Sequence, residues 1–396
     1  METLLPYALE WTNLLMRWLH VIVAIAWIGS SFYFVWLDNS LLAPQDPELI
    51  AKGVSGELWA VHGGGFYNPQ KYMVAPAKLP DHLHWFYWES YSTWLSGFGL
   101  FTILYLFNPN VFLVDRSVFD MAPATAIVAA LSFLVVGWLA YDGICRAFGQ
   151  REGGDRIVAI QVILYVAISS WLACHLFSGR AAFLLIGAMI ATVMSANVYF
   201  WIIPGQRKVV AAMQAGQTPD PIHGKRGKQR SVHNTYFTLP VLFTMISNHY
   251  SITYAHPYNW AVLLLIMLAS VFIRQFFILK HKGQWVWSYP AAGVVLLLAV
   301  AAWLAPRPLP AAPAAATAMP LMAEIKTIID QRCVICHNAQ IANKNIRLDS
   351  ADAIKANAQL IYQQVVVQKL MPMNNASGIT EAERAALGRW FEAGAK

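Results

Sequence analysis

Runs of about twenty consecutive apolar residues decide what this chain folds into, because each is long enough to cross a bilayer as a helix. Eight such runs lie near 11–37, 83–107, 123–145, 156–177, 181–203, 232–250, 259–281 and 285–305. The sixth is the most polar and carries Pro240. In hydrocarbon every backbone N–H and C=O needs an internal partner, so runs of this length become helices rather than open sheet. Of the 396 residues, 57% are hydrophobic and 12% charged, against about 25% charged in a soluble domain. The expected fold is all-α: a polytopic bundle of about eight transmembrane helices over 1–305, surrounded by lipid. No cleavable signal peptide is expected, since the first apolar run is too long and lacks a small-residue cleavage site.

After Leu304 the chain reads Ala-Pro-Arg-Pro-Leu-Pro and stays rich in alanine and proline to Pro320. Residues 306–320 are therefore expected as a semi-extended linker. Residues 321–396 are polar and helix-forming, the size of a small class I cytochrome c domain. Within them Cys333-Val-Ile-Cys336-His337 is the attachment signature of haem c, two thioether cysteines followed by the proximal histidine. A zinc site would want a second ligand pair, and a thioredoxin motif a βαβ context; neither accompanies it. The remaining cysteines, Cys145 and Cys174, sit in apolar runs and are expected to be packed thiols. The second iron ligand is expected at Met371, just before Pro372, with Met373 as the alternative. Thr380 and Glu383 spell a capping box for a last helix whose Leu387, Trp390 and Phe391 would pack on a helix over 321–331.

Charge sets the expected orientation. Loops after odd-numbered runs hold Lys52, Lys71, Lys78, Arg146, Arg151, Arg156, Arg207, Lys208, Lys225, Arg226, Lys228, Arg230, Lys280 and Lys282. Loops after even-numbered runs hold only Arg116 and Arg180. Odd loops are thus cytoplasmic, both termini are periplasmic, and the protein belongs in a bacterial inner membrane. Haem c is attached outside that membrane, which agrees. The formal charge of +7 is explained by topology, and no nucleic-acid partner is expected. The basic stretch 225–230 is read as a topology determinant.

Ionisable groups within membrane segments are costly and are functional candidates by default. His20 in the first run shares a face with Ala24, Trp27 and Ser31, and either ligates a haem b or another metal or packs through a hydrogen bond. His175 and His249 lie at similar depth and are candidates for a second ligand. On the inner side, His82, Trp85 and Glu89 would share one helical face, with His233 and Asn234 opening the sixth helix at that depth. The loop Glu57–Lys71 joins three glycines to His62, Phe66, Asn68, Gln70 and Lys71. It is read either as a cradle for a planar ligand or as a structural interfacial loop, and it lacks a nucleotide-binding spacing.

Three stretches, Arg17–Asp38, Glu57–Trp94 and His233–His249, together with Cys333–His337, resemble the membrane-bound urate oxidases (urate hydroxylases). These carry an eight-helix domain and a C-terminal cytochrome c. The resemblance implies oxidation of urate to 5-hydroxyisourate without hydrogen peroxide. Electrons would leave through cytochrome c to a downstream acceptor such as a terminal oxidase. Within that frame Lys71 or Lys78 would favour the urate anion, Phe66 or an aromatic residue of the second helix would stack on it, and His84 or His62 would act as general base. Glu89 is a further catalytic candidate. A quinol-oxidising respiratory subunit would share the helices and the haem; a transporter with a fused redox sensor would want an inverted repeat, which the chain does not display.

Overall fold

A computed structural model describes residues 4–73, 76, 79–305, 320–342 and 346–395. The described chain is helical, and its long helices fall where the apolar runs predict them. α1 is Leu4–Ser40, α2 Trp88–Phe101, α3 Pro123–Phe148, α4 Gly154–Leu176, α5 Gly179–Asn197, α6 Pro221–Ile246, α7 Asn259–His281 and α8 Ser288–Trp303. α2 runs on through a π-helical turn, Thr102–Leu106. α5 does so through Val198–Ile202 and then a further α-helical stretch, Ile203–Gln214. Five of these, α1, α3, α4, the whole run from α5 to Gln214, and α7, are both long and apolar enough to cross a membrane. α8 is apolar but shorter.

The bundle is organised around α5, which packs on α3, α4 and α6. Phe183, Leu185, Ile186 and Met189 on α5 are wholly enclosed, and α5 is the one helix with an apolar core partner on most sides. α1 lies at the edge against α2, and α7 pairs with α8. α1 leaves Trp18, Ile25 and Leu14 more than half exposed, as a lipid-facing helix does.

Two of the boundaries that differ from the sequence-based expectation bear on the candidate site residues. α6 begins at Pro221, eleven residues before the expected start near 232. Asp220 caps it, accepting from the Ile222 N–H at 2.8 Å, with Pro221 in the first turn; this is the preferred chemistry of a helix start. The expected basic loop 225–230 is thus helical, and His233 and Asn234 lie well inside α6. α2 begins late, at Trp88, because Tyr87 departs from helical geometry at φ −140°. His82 and Trp85 therefore precede the helix and do not share a face of it with Glu89.

The glycine-rich loop is not irregular. β1 (Val54–Glu57) pairs with β4 (Gln70–Tyr72), and β2 (Ala60–His62) with β3 (Gly65–Tyr67), both antiparallel. His62 pairs with Gly65 across Gly63-Gly64, whose φ values are +58° and +81°. Two successive positive φ angles are what a tight hairpin of this length requires, so these glycines have a structural reason.

The expected linker, 306–320, lies outside the described residues except for Pro320. Residues 320–395 build a second, separate core from Ile325, Ile329, Leu348, Ile354, Ile361, Leu387 and Trp390. α9 (Met322–Arg332) packs on α10 (Glu381–Glu392). The Thr380–Glu383 capping box is present in both directions.

Candidate functional site

Three polar constellations stand out, one in the C-terminal module, one where that module meets the bundle, and one inside the bundle.

In the C-terminal module, Cys333 and Cys336 follow α9 in a tight turn, with the Cys336 and His337 N–H groups both donating to the Cys333 carbonyl at 3.1 Å. Both thiols are free of disulfides. His337 Nδ1 lies 3.1 Å from the Ile346 carbonyl. A carbonyl only accepts, so Nδ1 carries the proton and Nε2 keeps its lone pair for a ligand. A ring held this way is the usual preparation of a metal-binding histidine. Met371 lies half-buried at the rim of the module core. Its carbonyl accepts from Arg384 at 2.9 Å, and its N–H donates to Gln364 at 3.0 Å. These residues fit a haem held by two thioethers, a histidine and a methionine. Met373 faces elsewhere, toward the bundle.

That second contact seats the module. Residues Met373–Asn375 rest on the short helix Pro109–Phe112. Arg180, at the start of α5, donates to Met373 Sδ at 3.7 Å and, through Nε, to Asn248 Oδ1 at 3.1 Å. Tyr105 donates to the same Asn248 oxygen at 3.4 Å. The Arg180 guanidinium lies over the Phe112 ring, and Phe112, Tyr105 and Phe101 follow one another at 5.5 Å between centroids.

The third constellation joins α3, α5 and α6. Asp142 accepts from Arg230 at 2.7 Å, from Trp201 Nε1 at 2.7 Å and from Arg146 at 2.5 Å. Arg230 also reaches Asn197, which donates to Tyr141 at 3.1 Å and to Asn234 at 2.9 Å. Tyr141 and His233 Nδ1 are hydrogen-bonded at 2.7 Å. Asp142, Arg230, Asn197 and Tyr141 are all buried. So large a satisfied network stiffens the helices that share it. The basic stretch read as a topology determinant therefore contributes Arg230 to the interior. Asp142 and Arg230 were legible as ionisable groups in or beside apolar runs, but attention to histidines alone passes over them.

The remaining expected residues are scattered. Lys71 is tied at 2.7 Å to Asp38 at the end of α1, and Lys78 lies outside the described residues. His62 is exposed at the hairpin turn, and Phe66 is 77% exposed. His84 is exposed, edge-on to Phe86 at 4.6 Å. Glu89 has one carboxylate oxygen buried without a hydrogen-bond partner among the described residues. A cleft of about 420 Å³ gathers Asp81, His82, Trp85, Arg207 and Gln214. It takes neither His62 nor His84 into its lining.

His20 is held between helices. Its Nδ1 is 3.0 Å from Ser96 Oγ, whose own proton goes to the Ser92 carbonyl at 2.6 Å. His20 Nδ1 is therefore the donor, and Nε2 keeps a lone pair. The ring lies over Gly97, where a Cβ would come within 2.9 Å of Cε1. His175 and His249 are exposed. His175 bonds the Trp171 carbonyl at 2.7 Å, and His249 lies in the turn Ser247–His249. Cys145 and Cys174 are buried thiols, as expected. Among the described residues no three His, Cys, Asp or Glu side chains form a metal cluster.

No curated protein and no solved structure matches the chain. One family model does, described as urate oxidase, N-terminal, and it covers residues 6–305. That span begins within α1 and ends two residues after α8, taking in the eight-helix bundle, the buried network and the bundle side of the module contact. The chain therefore belongs to the urate oxidase N-terminal family.

Proposed function

We propose that this protein oxidises urate to 5-hydroxyisourate in the membrane and delivers the electrons to a haem c held by Cys333, Cys336, His337 and Met371. The family match makes urate the substrate to test. The observation that carries the electron route is the C-terminal module, whose donor set fits a haem and whose Met373 loop rests on Arg180 of the bundle. Urate and one water give 5-hydroxyisourate, two protons and two electrons. The oxygen comes from water and dioxygen is not the acceptor, so no peroxide forms. A methionine-ligated haem supplies a one-electron acceptor of raised potential. A haem held there would be needed twice per urate, with a periplasmic carrier or terminal oxidase as the onward acceptor.

The chain's own residues have definite tasks. His337 is oriented by the Ile346 carbonyl, and Met371 is fixed through Arg384. Arg180 positions the module by holding Met373 and Asn248 together. Phe112 and Tyr105 form the bundle side of that contact.

The test is an anaerobic spectrum of the detergent-purified protein before and after urate, with a pyridine haemochrome assay to identify the haem. A c-type band that reduces on adding urate is the expected result, and a b-type signal beside it would assign a haem to His20. Reduction by quinol but not by urate would overturn the reading in favour of a respiratory quinol oxidase subunit.

A further inference from the structure

A cleft of about 230 Å³ opens beside the buried network, lined by Cys145, Arg146, Gln150, Trp201, Arg226, Gln229 and Arg230. Of the two clefts described, only this one has a charged wall residue that is almost wholly buried, Arg230 at 2% exposure. Three guanidiniums converge on one indole: Arg230, Arg146 and Arg226 lie 4.9, 5.1 and 5.6 Å from the Trp201 ring centroid. One carboxylate, Asp142, answers the first two, and Arg226 has no carboxylate partner among the described residues. With Asp155 bonded to Gln229, the cleft sets three cations against two carboxylates, and its excess positive charge sits at the exposed Arg226.

The shape of that excess charge selects among anions. Guanidinium groups are flat and weakly hydrated, and they stack on planar delocalised partners as well as bonding to them. Gln229 spends both amide N–H groups, on the Gly149 carbonyl at 3.0 Å and on Asp155 at 2.7 Å, whereas the exposed side chain of Gln150 makes no hydrogen bond among the described residues. Gln150 therefore gives the cleft an amide donor and an amide acceptor. A flat heterocycle with alternating carbonyl and N–H edges uses all of this, whereas a tetrahedral phosphate uses the cations alone.

We propose that this cleft binds a planar purine anion, urate as its monoanion, with Arg226 and Arg230 as cationic contacts and Gln150 as an edge-reading contact. The proposal rests on the urate reading above and deepens it by giving the substrate a place. That place is at the end of α3 away from the C-terminal module, so electrons from it would need a relay through the bundle.

Equilibrium dialysis of radiolabelled urate against full-length protein, pre-reduced with dithionite so that no turnover occurs, tests it. Wild type should bind urate saturably. Arg226→Gln, at an exposed position, should weaken binding about tenfold or more, the value of a charge-assisted hydrogen bond. Lys228→Gln, which removes the same charge from an exposed position outside the cleft lining, should bind as wild type does. Arg226→Gln binding within about twofold of wild type, or an equal loss in Lys228→Gln, overturns the site. So does stoichiometric displacement of urate by inorganic phosphate, which would mark a phosphate or lipid-headgroup site. Absence of saturable binding in wild type overturns it as well. Saturable, Arg226-dependent binding without urate-driven haem reduction would leave the site standing and sink the oxidase reading instead.

Discussion

Replacing Asp142 with alanine removes the acceptor of three donors at once, and the structure ranks their costs. The Arg230 side chain is 3% exposed and that of Asp142 8%. The substitution therefore strands a buried guanidinium, a loss of about 3–5 kcal/mol. The Arg146 side chain is 66% exposed and turns to water, so its share is under about 1 kcal/mol. Arg230 keeps Asn197 at 3.4 Å and the faces of Trp201 and Tyr141, which places Asp142→Ala near the lower bound, at about 3 kcal/mol. Arg146→Ala should cost less than about 1 kcal/mol. Asp142→Leu combined with Arg230→Met removes both charges and should recover most of the loss. Equilibrium unfolding in mixed detergent micelles, followed by tryptophan fluorescence, measures all of these. The reasoning fails if Asp142→Ala unfolds within about 0.5 kcal/mol of wild type, or if the paired variant is no better than Asp142→Ala.

Further outcomes follow from single contacts. Gly97→Ala would place its Cβ 2.9 Å from His20 Cε1 and should lower stability by about 1–3 kcal/mol; adding His20→Ala should restore it, and an unshifted melting temperature in Gly97→Ala would refute the packing argument. Burial alone would raise the Glu383 carboxyl, but Thr380 and the Arg332 guanidinium hold it below the usual range. Its stabilising share is therefore present above the unfolded value of about 4.3 and lost as pH falls through the lower folded value. Glu383→Gln should flatten that acid limb in thermal melts; an unchanged limb would refute the assignment. Arg274 on α7 is buried under the Phe32 ring at 4.2 Å, with Nε and Nη2 unpartnered among the described residues. Arg274→Met should thus be neutral or stabilising in unfolding measurements, and a loss above about 2 kcal/mol would contradict that.

The sequence was most informative where one physical demand dominates. Apolar runs of bilayer length located all eight helices, because hydrocarbon leaves the backbone no alternative. The capping box at Thr380 and the thiols of Cys145 and Cys174 were legible for similarly local reasons. Boundaries were harder. Asp220-Pro221 is a readable helix start, but the polar turns after it hide the helix from a hydropathy scan. The late start of α2 depends on the backbone at Tyr87, which hydropathy does not encode. The hairpin at Gly63-Gly64 hid behind a ligand-cradle interpretation that the same glycines permit. The buried network was least legible. Asp142, Asn197 and Arg230 come from three helices, and each looks like a membrane-edge polar residue until the helices are brought together.

The pairing of Asp142 with two arginines also bears on how the protein is made. Arg230 follows Asp142 by 88 residues, so α3 is synthesised and offered to the bilayer well before α6 exists. A lone carboxylate entering hydrocarbon costs several kcal/mol. Arg146 lies one helical turn further along and bonds the other carboxylate oxygen, so the nascent helix carries its own counter-charge. When α6 arrives, Arg230 bonds the other oxygen of the same carboxylate, and Arg146 keeps its bond while its side chain stays largely exposed. A nascent chain carrying Arg146→Ala would accordingly meet its difficulty during insertion, before Arg230 is in place.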